Sequence, residues 1–325
     1  MQSKQTKWTS ADIPTLRGRT AVVTGTGGLG YEASLALARA GASVVIAGRN
    51  PDKGVDAVTR IRAEAPEANV RFEAMDLADL RTIEPFAQRL RERADSVDIL
   101  INNAAVMQPP TLQRTSDGFE LQLGTNYLGH FALTARLLPL LRASSGARVV
   151  SVSSVAARDG AIQFDDLHFE RRYESMRAYS QSKLACLLFA FELDRRSRAS
   201  GWGVTSIAAH PGIARTELLH NAPGRRSVQS VLRSALWFLF QPAWQGALPV
   251  LFAATSPDAG AGQYYGPDRL GETRGYPALA KVPAAAEERA TAERLWAVSE
   301  AATGVSFGAS DTNAAHTVEA RERRS

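Results

Sequence analysis

Residues 173–184 form an amphipathic stretch whose spacing predicts a helix, with Lys183 four positions after Tyr179. Side chains four apart share a helix face, so an ammonium can stand beside a phenol. A fixed cation favours the phenolate and draws a phenol down from its ordinary pKa of about 10, which would make the pair a proton-transfer device. The same spacing also arises on ordinary solvated helix faces, so its meaning depends on what precedes it.

Upstream, residues 20–24 form a short apolar run ending at Thr24. Gly25, Thr26, Gly27, Gly28, Leu29 and Gly30 follow, and then helical periodicity over residues 31–40. This is strand, glycine turn, helix. With no Cβ in the way, backbone N–H groups and a helix N-terminus can approach a pyrophosphate, and the helix dipole favours its charge. The apolar run at residues 43–47 completes a strand–helix–strand unit of the length a dinucleotide-binding fold requires. A glycine run alone would be read as a tight turn; between a strand and a helix it points to phosphate binding.

These features, with the residues between them, resemble the short-chain dehydrogenase/reductase family, and within it the branch similar to retinol dehydrogenases; the resemblance spans about residues 15–270. Asp76 and Leu77 close the third strand, where the family meets the adenine. Asn102, Asn103, Ala104 and Ala105 match its Asn-Asn-Ala-Gly element, with Ala105 in place of Gly. Asn126, in the segment 124–129, stands at the family's catalytic Asn, and Ser154 at its catalytic Ser. Pro211, Gly212 and Thr216 match the nicotinamide-side loop. One element departs from the pattern. The family has three residues between the first two glycines, whereas here only Thr26 and Gly27 separate Gly25 from Gly28. Gly25, Gly27 and Gly30 still satisfy Gly-x-Gly-x-x-Gly, so a phosphate nest is retained.

An NAD site places a carboxylate at the end of the second strand to bind the ribose 2′-hydroxyl, while a 2′-phosphate prefers Arg. Arg49 stands at that position, followed by Asn50, and its guanidinium can grip phosphate bidentately. Asp52, just after Pro51, is expected to start or cap the next helix. The expected cofactor is therefore NADP(H) rather than NAD(H).

The resemblance then implies a chemistry. Hydride transfer to a carbonyl carbon builds an alkoxide that needs a proton. Tyr179 is expected to supply it, Ser154 to hold the substrate oxygen, and Lys183 to bind the ribose while lowering the Tyr179 pKa. Asn126 would hold a water linking Lys183 to solvent.

Between Ser154 and Tyr179 lies a long stretch containing Phe164, Asp165, Asp166, Leu167, His168 and Phe169, in keeping with the retinol dehydrogenase-like branch. No further ligands at metal spacing accompany Asp165, Asp166 and His168, so it reads as a polar loop over the substrate pocket. Residues 217–245 carry Leu232, Leu236, Trp237, Phe238, Leu239, Phe240 and Trp244 and are expected to form an apolar lid, which implies an apolar substrate; helix packing or a membrane or partner contact would use the same residues.

The chain of 325 residues, 45% hydrophobic and 22% charged, suits one α/β domain. A net charge of +5 from 38 basic and 33 acidic residues is too dispersed to indicate nucleic-acid binding. Residues 1–15 read as an extension without the apolar core of a signal peptide, and no apolar run reaches the roughly 18 residues of a membrane span, which argues for a cytoplasmic location. The single Cys186 sits in an apolar run and reads as packing. A closing helix is expected over 283–303 and disorder over 304–325. The expected architecture is a single-domain, Rossmann-type, doubly wound parallel sheet with helices on both faces and strands near residues 20, 44, 71, 98, 148, 204 and 263. In many relatives the helices at 116–141 and 173–198 pair subunits, so the resemblance implies a homodimer or homotetramer. The expected function is reduction of an apolar ketone or aldehyde, or the reverse oxidation of a secondary alcohol. The alternatives are a non-catalytic nucleotide-binding redox sensor or assembly protein, and an epimerase or isomerase with no net cofactor consumption.

Overall fold

A computed structural model describes residues 7–214 and 241–308. Eight strands form one sheet in the order β3-β2-β1-β4-β5-β6-β7-β8. They are β1 (Thr20–Thr24), β2 (Ser43–Gly48), β3 (Val70–Ala74), β4 (Ile99–Asn102), β5 (Arg148–Val152), β6 (Thr205–Ala209), β7 (Tyr264–Arg269) and β8 (Arg274–Leu279). The first seven run parallel, and the crossover from β3 back to β4, beside β1, opens a crevice at the carboxyl ends of the strands. The all-parallel expectation needs one correction: β8 pairs antiparallel with β7 and forms the sheet edge. Its sequence, Arg-Gly-Tyr-Pro-Ala-Leu, holds Gly275 and Pro277 and shows no strand periodicity, and a proline is tolerated on an edge strand.

Alternate strand residues feed opposite faces. Ala21 and Val23 pack with α1 (Gly28–Arg39), α2 (Pro51–Glu64) and the helix at Leu248–Thr255. Val22 packs with α3 (Ile83–Arg91), α4 (Gly129–Ala143) and α5 (Ser175–Ser200) on the other side. In chain order the Leu248–Thr255 helix is α6, and α7 (Arg289–Thr303) closes the fold. Helix α5 is long because residues 175–200 hold no glycine or proline; it ends where Gly201 takes the left-handed conformation a C-terminal cap requires.

Two appendages of the sequence reading are packed parts of the fold. Trp8 stands edge-on to Phe252 of α6 at 5.4 Å between ring centroids. Val305 and Phe307, in the segment expected to be disordered, are buried, and Phe307 meets Trp296 at 4.5 Å and Phe131 at 5.1 Å. Residues beyond 308 lie outside the described residues.

Helix α7 packs across α4 and α5. Trp296, 1% exposed, packs on Phe131 of α4 and Phe189 of α5, and Ser299 shares a hydrogen bond with Tyr127 at 2.7 Å. This covers an aromatic face of α4 and α5. Among the described residues no helix is long and apolar enough to cross a membrane.

Candidate active site

The carboxyl ends of β1, β2, β4, β5 and β6 border a cleft of about 500 Å³. At its centre the chain turns sharply at Gly25, where φ is +100°, and enters α1 at Gly28. A Cβ on Gly30 would stand 2.5 Å from the Gly25 carbonyl oxygen and 2.8 Å from Asn103 Nδ2. Only glycine permits that approach. Gly27 caps α1 without any side-chain hydrogen bond, so the helix N-terminus faces the cleft with its donors uncapped by side chains. This cradle fits a pyrophosphate even with the loop one residue short.

Thr24 locks the cradle to the next loop. Its hydroxyl oxygen accepts from the backbone N–H groups of Asn103 and Ala104, both at 2.9 Å. Asn103 Nδ2 donates to the Thr24 carbonyl at 2.8 Å. The Thr24 hydroxyl lies 2.8 Å from His130 Nε2, and His130 Nδ1 lies 2.8 Å from the carbonyl oxygen of Asn126. A carbonyl can only accept, so Nδ1 carries the hydrogen and Nε2 accepts from Thr24. Burial holds the imidazole neutral, down to about 4, with the nearby Lys183 cation acting in the same direction. Sequence reasoning passed over His130, because a lone histidine four residues after Asn126 carries no motif of its own.

Tyr179 and Lys183 are buried against this network. Tyr179 and Lys183 share one face of α5, as their spacing requires, and Lys183 Nζ lies 5.9 Å from the Tyr179 ring centroid. Burial pushes the phenol up to about 12, and a hydrogen bond with the Ser154 side chain offsets this only in part. The expected lowering by Lys183 is therefore corrected: its ammonium donates to the Val152 carbonyl at 2.9 Å, and desolvation lowers its own pKa. Ser154 opens a single helical turn, with its hydroxyl accepting from Ala156 N–H at 3.2 Å. Ser153 Oγ donates to the Lys183 carbonyl at 2.7 Å and so ties β5 to α5.

Asn126 sits in a π-helical turn, Gly124–Leu128, and is 1% exposed. Its side chain accepts from Val106 N–H at 2.7 Å and donates to the Val106 carbonyl at 3.0 Å and to Ser182 Oγ at 2.9 Å. Its carbonyl accepts from His130 and, at 3.2 Å, from the Cys186 thiol. Every polar atom of its side chain and its carbonyl thus has a protein partner. The Asn126 side chain braces the Val106 loop against α5.

At the other end of the cleft lie Thr26, Gly28, Leu29, Arg49, Asn50, Asp76 and Leu77, together with Lys53, which the sequence reading did not single out. Asn50 also caps α2, accepting from Lys53 N–H at 3.0 Å, with Pro51 in the first turn. Of the two roles expected for Asp52, starting or capping the helix, it takes the first, in the opening turn where its charge meets the helix dipole, and Asn50 is the cap. Asn103, Ala104, Ala105, Pro211 and Gly212 line the middle, and Met107, Val155, Met176, Ile213 and Ala214 give the remaining wall an apolar character. Thr216 and residues 217–240 of the expected lid lie outside the described residues. Gln241, in the described part of the expected lid, donates to the Pro211 carbonyl, and its side-chain oxygen accepts from Gly275 N–H at 3.1 Å. His168 does not join the cleft; it accepts from Glu120 N–H at 3.2 Å and stacks on Phe119.

Comparison with known proteins agrees with this architecture. The short chain dehydrogenase family matches residues 19–226. Retinol dehydrogenase 13 of Mus musculus is 39% identical over 310 residues, 94% of this chain and 89% of that protein. A crystal structure of an uncharacterized protein from Mycobacterium paratuberculosis superposes with a TM-score of 0.76 at 38% identity, covering 94% of this chain and all of the other. Pseudomonas aeruginosa RhlG, solved as an NADP active-site complex, superposes with a TM-score of 0.61 at 25% identity, covering 77% of this chain and 94% of the other. With a glycine cradle at the switch point of the sheet and a buried Tyr179 above it, the chain belongs to the short-chain dehydrogenase family, in its retinol dehydrogenase-like branch, and is an oxidoreductase.

Proposed function

We propose that this enzyme reduces an apolar aldehyde or ketone with NADPH, and that Tyr179 delivers the proton. The observation that carries the reading is the buried phenol, held protonated by a pKa pushed up to about 12, on the wall of a cleft whose far end holds two cations. An alkoxide is far more basic than a phenolate, so Tyr179 can still give its proton to an oxygen on which charge is building, and it stays loaded with that proton at neutral pH. Ser154, beside it, holds the same oxygen and stabilises its charge.

Arg49 and Lys53 support NADPH over NADH, because their charges suit a 2′-phosphate, while Asp52 is not among the residues lining the cleft. The uncapped N-terminus of α1 would hold the pyrophosphate, and Asn103, Ala104, Pro211 and Gly212 would border the nicotinamide. When bound, that ring supplies the hydride. Met107, Val155, Met176 and Ile213 give the reacting end an apolar lining that favours an apolar substrate, in keeping with the name of the mouse relative, retinol dehydrogenase 13.

The test is NADPH consumption by the purified protein with retinal, an aromatic ketone and a short polar aldehyde, with product alcohol quantified by chromatography. Oxidation of NADPH matched by alcohol formed from the apolar carbonyls, and faster than with NADH, is the expected result. Tight NADPH binding with no carbonyl reduced would contradict the reading and favour a sensor.

A further inference from the structure

The turn between β7 and β8 is strained at residues with no glycine excuse. Leu270 and Glu272 both lie in the left-handed region, with φ of 49° and 67°, on either side of Gly271. Strain of this kind persists only where surrounding contacts fix it. Here the contacts converge on the Glu272 carboxylate. One oxygen accepts from Arg158 Nη2 at 2.6 Å and from His210 Nε2 at 3.1 Å, and the other accepts from Lys281 N–H at 3.0 Å.

His210 is 1% exposed and immediately precedes Pro211 and Gly212. Its Nδ1 accepts from Gly212 N–H at 3.2 Å, so the ring's hydrogen must be on Nε2, pointing at Glu272. The neighbouring Thr273 carbonyl accepts from Ile213 N–H at 2.8 Å. Arg158, four residues after Ser154, also donates to the Gly271 carbonyl at 3.2 Å. One carboxylate in the strained turn therefore ties together the loop after β5, which carries Ser154, and the loop after β6, which carries Pro211 to Ala214. Both loops form walls of the cleft.

We propose that Glu272 is a positioning residue for the nicotinamide half of the site: through His210 it fixes the imidazole tautomer that holds Gly212, and through Arg158 it sets the distance between the two loop walls. The proposal rests on the NADPH reading above for the identity of what the walls grip. The brace itself is a property of the protein alone.

Two variants test it, Glu272→Ala, which removes the carboxylate, and Glu272→Gln, which keeps an acceptor for His210 but loses the charge that Arg158 engages. In Glu272→Ala, amide exchange at Gly212 and Ile213 should accelerate while exchange in β1 to β5 stays as in wild type. NADPH should bind roughly tenfold more weakly, whereas 2′,5′-ADP, which has no nicotinamide half, should bind as before. Glu272→Gln should fall between wild type and Glu272→Ala in both readouts, and it carries the test alone if the alanine variant does not fold. Unchanged exchange at Gly212 and Ile213, unchanged NADPH affinity, or equal weakening of NADPH and 2′,5′-ADP would each overturn the proposal. If wild type binds no NADPH, the functional reading fails, and the brace is then judged on amide exchange alone.

Discussion

His130 offers a quantitative handle on the network that joins the glycine cradle to Asn126. In the folded protein it is buried and neutral, with Nε2 accepting from Thr24 and Nδ1 donating to Asn126. Burial lowers its pKa from 6.5 to about 4. A base with a depressed folded pKa contributes stability that is fully present above its unfolded value and is lost as pH falls toward the folded one. The window here runs from 6.5 down to about 4. At about pH 5 the unfolded chain holds most of a proton that the native state refuses, which costs about 2 kcal/mol. Replacing His130 by Gln removes the titration while keeping a polar side chain of similar reach. Urea unfolding of both proteins at about pH 7.5 and about pH 5 isolates the effect, because the other titrating groups are common to both. Wild type should lose about 2 kcal/mol more than His130→Gln across that interval. Parallel losses would show that His130 titrates in the folded protein as it does in the unfolded chain, and the network as drawn would be wrong.

Three further outcomes are expected. Gly30→Ala places a methyl 2.5 Å from the Gly25 carbonyl and 2.8 Å from Asn103, so nucleotide affinity by Trp fluorescence should fall at least roughly tenfold; unchanged affinity would remove the cradle from cofactor binding. Arg49→Glu should weaken NADPH strongly and NADH little, measured in the same titration, and equal effects on both would contradict a 2′-phosphate contact. Trp296→Ala opens the aromatic cluster under α7 and should cost about 3–5 kcal/mol in urea unfolding, while a loss below about 1 kcal/mol would mean that α7 is not part of the core.

The parts legible in the sequence were those whose function dictates a spacing. The glycine cradle between β1 and α1 and the four-residue step from Tyr179 to Lys183 follow from backbone geometry and reappear in place. What escaped depends on contacts distant in sequence. Phe307 looks like an isolated aromatic in a polar tail until Trp296 and Phe131 surround it. The π-helical turn at Asn126 leaves no trace in apolar periodicity, and the turn residues Leu270 and Glu272 give no sign of their strained backbone. Lys183 was expected to depress the phenol because one helix face brings the two residues near. The fold aims its ammonium at Val152 instead, and burial then decides the direction of the Tyr179 shift.

The most direct test of the central claim is Tyr179→Phe, assayed for NADPH-dependent carbonyl reduction and, separately, for NADPH binding. The account predicts turnover reduced by at least roughly a hundredfold with binding nearly intact, since the phenol moves a proton and the cradle lies elsewhere. Retained turnover would take the proton from Tyr179 and leave the proposed mechanism without its acid.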